Sequence, residues 1–363
     1  MTKTVYFLAV IVMLLIGFSC ANKNESTKNA ESLSTRISEK EADTVDATND
    51  FYDNAETYPL QLNKLEVVGE ITNPGEINFS ELPLHSVIVK ETVLGEDGNT
   101  FTGAFRYDGY SLYDILNERH LDKKNANDFK PIIDLFVEIE NDKGEKVVVS
   151  WGEIFYPNHL HEIIIATKVM RIVPSKTNEL WELPVNNKLV VSSDLITERN
   201  ISSPTKITVK SYDIDLEVEK GKDPLFSPMV DIYLENKKFE TLSKNPTSIP
   251  EQSLHTIFYG RGRGIHSTQP FTGISLKNYF EGKIPQTQKA MREGIFVVAA
   301  DDGYRGVFTY SELCNRNDQA EVLLLCRPDV ETDGIFRVFP SCDFFSDRAI
   351  KGITAIYYSE NLK

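Results

Sequence analysis

The sequence predicts an α+β protein built from two tandem copies of one domain, each with a mixed, curved sheet and few short helices. Three observations carry that expectation. The stretch Phe296 to Cys314, FVVAADDGYRGVFTYSELC, reads as strand, tight turn, strand and helix start, and the same plan occurs at Val137 to Phe155, VEIENDKGEKVVVSWGEIF. Asp142, Gly144, Val148 and Glu153 each fall 159 residues before Asp301, Gly303, Val307 and Glu312. Other landmarks recur in the same order: Leu82-Pro83 as Ile249-Pro250, Phe101-Thr102-Gly103 as Phe271-Thr272-Gly273, Ser111-Leu112 as Ser275-Leu276, and Asp194 and Arg199 as Asp343 and Arg348. An ordered series of this kind marks an internal repeat. Finally, each copy strings many short strands around one or two helices, which suits an α+β layer.

Taken in order, Met1 to Ser19 carries one Lys, the apolar run VYFLAVIVMLLIGF and small residues just before Cys20. This is the pattern of a signal peptide, and the Cys placement resembles a bacterial lipoprotein signal whose cysteine becomes lipidated. The apolar run is shorter than the roughly 20 residues a spanning helix needs. Residues 20–58 are rich in Asn, Ser, Thr, Glu and Lys, too polar to offset ordering entropy, and read as a flexible acidic and polar tether. Copy one is expected over 60–212. Its strands are Leu65 to Ile71, Val87 to Val93, the hairpin, Ile163 to Ala166, Lys188 to Val191 and Lys206 to Lys210, with an amphipathic helix at Tyr110 to Asn117. After a polar joint at Glu217 to Asp223, copy two is expected over 229–360. It has strands Val230 to Leu234, the hairpin, Val322 to Cys326, Phe336 to Phe339 and Ile353 to Tyr358, and a helix at Leu276 to Phe280.

The 363 residues suit two globular domains, and 41% hydrophobic content is enough for real cores. With 39 basic against 54 acidic side chains the net charge is −15, which repels phosphate backbones and argues against a nucleic-acid partner. The cysteines at 20, 314, 326 and 342 form neither a zinc pattern nor a disulfide framework.

Several of these motifs together resemble the molybdopterin-binding domain of sulfite-oxidase-like oxidoreductases, over about residues 60 to 358. They are Val67-Val68-Gly69-Glu70 with Asn73-Pro74-Gly75, an FTG followed by a Ser-Leu-x-x-x-Leu helix, the DGY hairpin leading into Ser-Glu-Leu, and Pro340, Arg348 and Lys351 before the last strand. The resemblance implies a fold with two such pterin-binding domains and a molybdenum held by a cysteine thiolate. The matching windows, 87–103 and 254–273, contain no cysteine. Glu91 or His266 is a poor substitute for that soft anionic ligand, and Cys314, Cys326 and Cys342 read as small structural hydrophobes.

Two features remain as candidate anion or pterin sites. Tyr259 to His266, YGRGRGIH, sets Arg261, Arg263 and His266 on a glycine-rich loop, where backbone N–H groups and guanidinium forks suit phosphate or carboxylate; the plainer reading is a solvated loop. Arg305 and Arg348 lie where the family's basic residues face oxyanion or pterin, the plainer reading for Arg348 being a salt bridge to Asp343 or Asp347. Copy one carries Glu145 and Lys146 opposite Tyr304 and Arg305, and an acidic Gly95-Glu96-Asp97-Gly98 opposite the basic loop, so an anion site belongs to copy two. His159 and His161 could face one side of a strand and hold a metal, a solvated surface pair being the plainer reading, so no metal site is expected. The leading expectation is a lipid-anchored cell-envelope protein, attached to the membrane through Cys20, that binds an anionic small molecule or an envelope protein and performs no catalysis. The competing ones are a molybdopterin-dependent oxidoreductase with a non-cysteine ligand and a structural spacer.

Overall fold

The computed structural model describes residues 55–96, 98–174, 176–219, 227–327 and 335–361. The expected signal peptide, Cys20 and residues 20–54 of the tether lie outside the described residues, as does Asp97. The end of the expected tether is part of the fold, since Thr57–Pro59 pairs antiparallel with Ile163–Arg171.

Helix formation is confined to short pieces. Leu112–Asn117, Trp151–Phe155, Leu276–Phe280, Gln288–Glu293 and Tyr310–Cys314 have five or six residues each. Each opens on a Ser or Thr hydroxyl that accepts a backbone N–H of the first turn. Helices this short cannot cover a sheet, so the sheets cover one another. The chain is 46% strand and 12% helix, and its small sheets are arranged like the blades of a four-bladed propeller. The α+β, sulfite-oxidase-like expectation is therefore overturned: hairpins that end in one helical turn read as mixed layers in sequence, but the buried layers are all β.

Two of the sheets share one connectivity. In the first, Pro204–Ser211 is central, parallel to Glu66–Gly69 and antiparallel to Leu135–Asn141, which forms a hairpin with Lys146–Ser150. In the second, Ile353–Ser359 is central, parallel to Val230–Leu234 and antiparallel to Ile295–Ala300, which forms a hairpin with Arg305–Thr309. These inner sheets bury both faces, as period-2 alternation allows. Val147 and Val149 enter one cluster with Leu65 and Val67, whereas Val148 joins Phe136, Ile295, Val297 and Val307 between the two inner sheets. Phe296 and Val298 face the opposite way, into the cluster of the second half.

The two outer sheets are also built alike, from Glu251–Leu254, Phe271–Ser275, Val322–Cys326 and Phe336–Pro340 in one and from His85–Gly95, Gly98–Ser111, Ile163–Arg171 and Lys188–Val191 in the other. Their register corrects one landmark. Ser111 pairs with Ile164 and Ser275 with Leu323, which sets Gly273 opposite Gly109 of the first half rather than Gly103. A Cβ at Gly109 would lie 2.2 Å from the Ile165 carbonyl oxygen and one at Gly273 2.5 Å from that of Leu324. The two glycines thus serve one close strand approach, and the FTG match has no structural counterpart.

Between the inner sheets lie two guanidinium groups with no solvent exposure, Arg199 and Arg348. Arg199 donates to Asp194 at 2.6 and 2.8 Å, to Glu153 at 2.5 and 3.1 Å, to the Val148 carbonyl at 3.2 Å and to Thr309 Oγ1 at 3.3 Å. Arg348 donates to Asp343 at 2.6 and 2.8 Å, to the Val307 carbonyl at 3.2 Å and to Ser150 Oγ at 3.2 Å, and pairs with Glu312 at 2.5 Å. The helix caps interlock across the same centre. Ser150 and Glu153 form a capping box, Thr309 and Glu312 another, and each cap hydroxyl also donates to the other box's glutamate, Ser150 to Glu312 at 2.8 Å and Thr309 to Glu153 at 3.1 Å. Burial and the guanidinium charge act unequally on the carboxylates of this lattice. Burial pushes Asp194 up to about 6 and also raises Glu312, while at Glu153 the charge and hydrogen bonds of Arg199 outweigh burial and hold the carboxyl below its ordinary value.

Gly152 is pressed against this lattice, since a Cβ there would lie 2.2 Å from Arg348 Cζ. Gly152→Ala is therefore expected to destabilise the fold by about 3 kcal/mol or more in urea melts, the scale of a broken buried ion pair. Gly144→Ala, at a left-handed turn position with nothing within 4 Å of the added methyl, should cost only about 1 kcal/mol. Equal losses would show that the lattice tolerates displacement.

Candidate functional site

The five candidate binding residues do not form one site. Arg348 is locked in the central lattice. Arg305 is 5% exposed, donates to Asp134 at 3.2 Å and lies 4.7 Å from the Phe129 ring centroid. Asp134 also pairs with Lys123 at 2.9 Å. Both arginines lie inside the fold, where carboxylates of the same chain occupy them: Arg305 opens the buried strand Arg305–Thr309 and Arg348 ends the short turn Ser346–Arg348.

The basic loop is a small hairpin, Phe258–Gly260 against Gly264–Ser267, with Gly264 at φ 75. Its glycines serve the turn: Gly264 adopts the left-handed conformation that suits glycine, and a Cβ on Gly260 would meet His266 Nε2 at 2.4 Å. Arg261 is tied to Asp347, with Nε donating at 2.9 Å, and its guanidinium lies 5.7 Å from the Tyr156 ring centroid. Arg263 and His266 are exposed. These three residues, with Tyr304, border an open depression of about 550 Å³.

On the other side of the hairpin is a pocket of about 560 Å³ that shares His266 and is lined by Phe258, Phe271, Arg327, Arg337 and Lys351. Pairing assembles its cations. Arg337 lies on Phe336–Pro340 opposite Leu325, Arg327 follows the end of Val322–Cys326, and an isolated bridge sets Lys351 beside Arg337. The Arg337 guanidinium lies 4.7 Å from the Phe258 ring centroid and 5.2 Å from that of Phe271, and Phe271 stacks on Phe339 at 4.1 Å. Such contacts draw the guanidinium to the ring faces electrostatically. Lys351 belongs to the motifs noted in the sequence; Arg327 and Arg337 were missed. The available signal was Arg337 in the alternating run FRVFP, on the face shared with Phe339.

The first half has the same slot with other chemistry. Lys188 and Ser202 form an isolated bridge as Arg337 and Lys351 do, and Lys188 lies 149 residues before Arg337 and Ser202 149 before Lys351, as Arg199 does before Arg348. Lys188 donates to Glu91 at 2.6 Å above the Tyr107 ring. The first slot closes on an internal ion pair, and the second replaces Ser202 with a further cation.

The thiolate implied by the family resemblance does not fit these pockets. Among the described residues, no cysteine lines either one. Burial raises the thiols of Cys314, Cys326 and Cys342, the first to about 12. The three sulfurs therefore remain protonated at neutral pH, and no step is assigned to a molybdenum centre. Of the two histidines noted in the sequence, only His161 enters a cluster, with His85 rather than His159.

Comparison with protein-family models, curated proteins and solved structures gives no match for this chain.

If Arg305 is structural, Arg305→Ala should cost about 2 kcal/mol of stability, the scale of a hydrogen bond to a charged group, and leave anion binding unchanged. A stable variant with weakened anion binding would return Arg305 to the site.

Proposed function

We propose that this chain is a lipid-anchored, extracytoplasmic binding protein whose ligand is a small organic anion with a flat apolar part. The observation that carries the proposal is the pocket in which Arg327, Arg337, Lys351 and His266 gather around Phe258 and Phe271, in a chain with net charge −15. A protein of that charge repels anions at long range, so a local excess of cations over aromatic rings selects ligands that offer both a charge and a surface to stack. Carboxylate, sulfate and phosphate all match the guanidinium fork. In the depression beyond His266, Arg263 adds a further exposed cation, while Arg261 there is paired with Asp347. The membrane attachment and envelope location follow from the lipoprotein pattern that ends at Cys20.

Thermal unfolding of the full chain with inorganic phosphate, sulfate and naphthalene sulfonate tests the pocket, since a ligand that binds the folded state raises the midpoint. Naphthalene sulfonate should stabilise most. Arg327→Ala and Lys351→Ala should each weaken it about tenfold, the loss of one charge-assisted contact. Stabilisation that survives both substitutions would overturn the assignment.

Attachment is tested separately by metabolic labelling with a fatty acid. The chain should incorporate label and Cys20→Ala should not; label retained after that substitution, or absent from the unsubstituted chain, would remove the anchor from the proposal.

A further inference from the structure

At the far end of the first outer sheet, His85, Asp114 and His161 bring one nitrogen or oxygen donor each within 4.8 Å of one another. His85 opens the strand His85–Gly95, Asp114 lies in the first turn of Leu112–Asn117, and His161 precedes Ile163–Arg171. Strand register brings the three together, since His85 pairs with Gly109 and Ser111 with Ile164. His85 Nε2 is 2.7 Å from Asp114 Oδ2, and His161 Nδ1 is 3.5 Å from the same oxygen. The imidazoles stack at 4.0 Å with 7° between planes, and the Tyr113 ring meets His161 edge-on at 5.2 Å. Ser111 Oγ, buried, donates to Asp114 at 2.6 Å and lies 3.0 Å from His161 Nδ1. Both histidines line a groove of about 490 Å³ that also carries Ile88, Leu160, Glu162 and Asn317.

We infer that His85, Asp114 and His161 form a binding site for a late first-row divalent cation such as zinc, with a coordination position open to the groove. Two imidazoles and one carboxylate are a donor set for such ions, and three protein ligands beside an open cavity are the arrangement of a metal that keeps an exchangeable position. Tetrahedral ligands at zinc lie about 3.3 Å apart, from bond lengths near 2.0–2.1 Å. His161 Nδ1 and Asp114 already meet that spacing. His85, hydrogen-bonded to the carboxylate, ligates once its partly exposed ring turns off His161, as the tautomer with the proton on Nδ1 and the lone pair on Nε2.

The second half shows that the fold itself does not require these residues. By strand register Gln252 stands at the place of His85, Asn278 at that of Asp114 and Ala320 at that of His161. The second half also turns through a left-handed residue here, Gln319 at φ 59, one position before Ala320, whereas in the first half the left-handed residue is His161 itself at φ 68.

The test is calorimetric titration of the metal-free full chain with zinc, with cobalt absorption as a second probe. One zinc per chain should bind. His85→Gln and His161→Asn should each weaken it by about tenfold or more, since even outer contacts of metal sites are worth that much. Asn tolerates the left-handed conformation at 161, and an unchanged metal-free melting midpoint confirms that the variants fold. No zinc uptake, uptake unaffected by either substitution, or uptake lost with His159→Asn but retained with His85→Gln would each overturn the assignment.

Discussion

The rest of the structure depends on the withdrawal of two guanidinium groups from water at the centre of the chain. Burying an ion costs several kcal/mol, and that cost is recovered only where geometry and hydrogen bonding are complete. Arg199 and Arg348 meet the condition in the same way, each with a bidentate aspartate five residues earlier, a helix-start glutamate and a strand carbonyl. Neither half completes its own lattice: Arg199 needs Thr309 and Arg348 needs Ser150. Cap hydroxyls that satisfy their own helix also satisfy the opposite glutamate. The halves are therefore held in one relative placement by partners that neither can replace with water.

That constraint explains where the two halves agree and where they diverge. Strands that deliver lattice groups keep their register, their turn glycines and their caps, because a one-residue slip would turn every buried side chain to the wrong face. The outer sheets carry no such obligation. In the first, strands of 11 and 14 residues form one long hairpin that reaches across to Thr197 and Glu198. In the second the same position is split, and a separate short hairpin turns at the basic loop.

Local chemistry was legible in the sequence. The paired hairpins and strands such as Val230–Leu234, Val322–Cys326 and Lys188–Val191 fall where turn residues and alternation put them. The layer type was not, because a capped single turn and a covering helix begin with the same residues. The FTG match misled because a repeated tripeptide carries no register, and the register is fixed by the approach of Gly109 and Gly273 to neighbouring carbonyls. Arg261, Arg263 and His266 were visible as a local concentration of charge, whereas Arg327, Arg337 and Lys351 come from three separate chain positions that only strand pairing joins. His85, Asp114 and His161 escaped for the same reason: the sequence offered His159 as the near neighbour, and the sheet supplied His85 instead.

The distribution of these groups follows from the repeat. Once the lattice fixes the scaffold, equivalent outer positions can change without moving it. The slot that closes as Lys188 on Glu91 in one half holds Arg337 beside Lys351 in the other, over Phe258 and Phe271. The positions filled by His85 and Asp114 in one half hold Gln252 and Asn278 in the other. Each half thus carries donors at a place where its counterpart is inert, one end suited to a cation and the other to an anion. Function lives in sites placed on a fold rather than in the fold, and here one repeated scaffold carries different side chains at matched backbone positions, so that opposite charges gather in its two halves without a change of register.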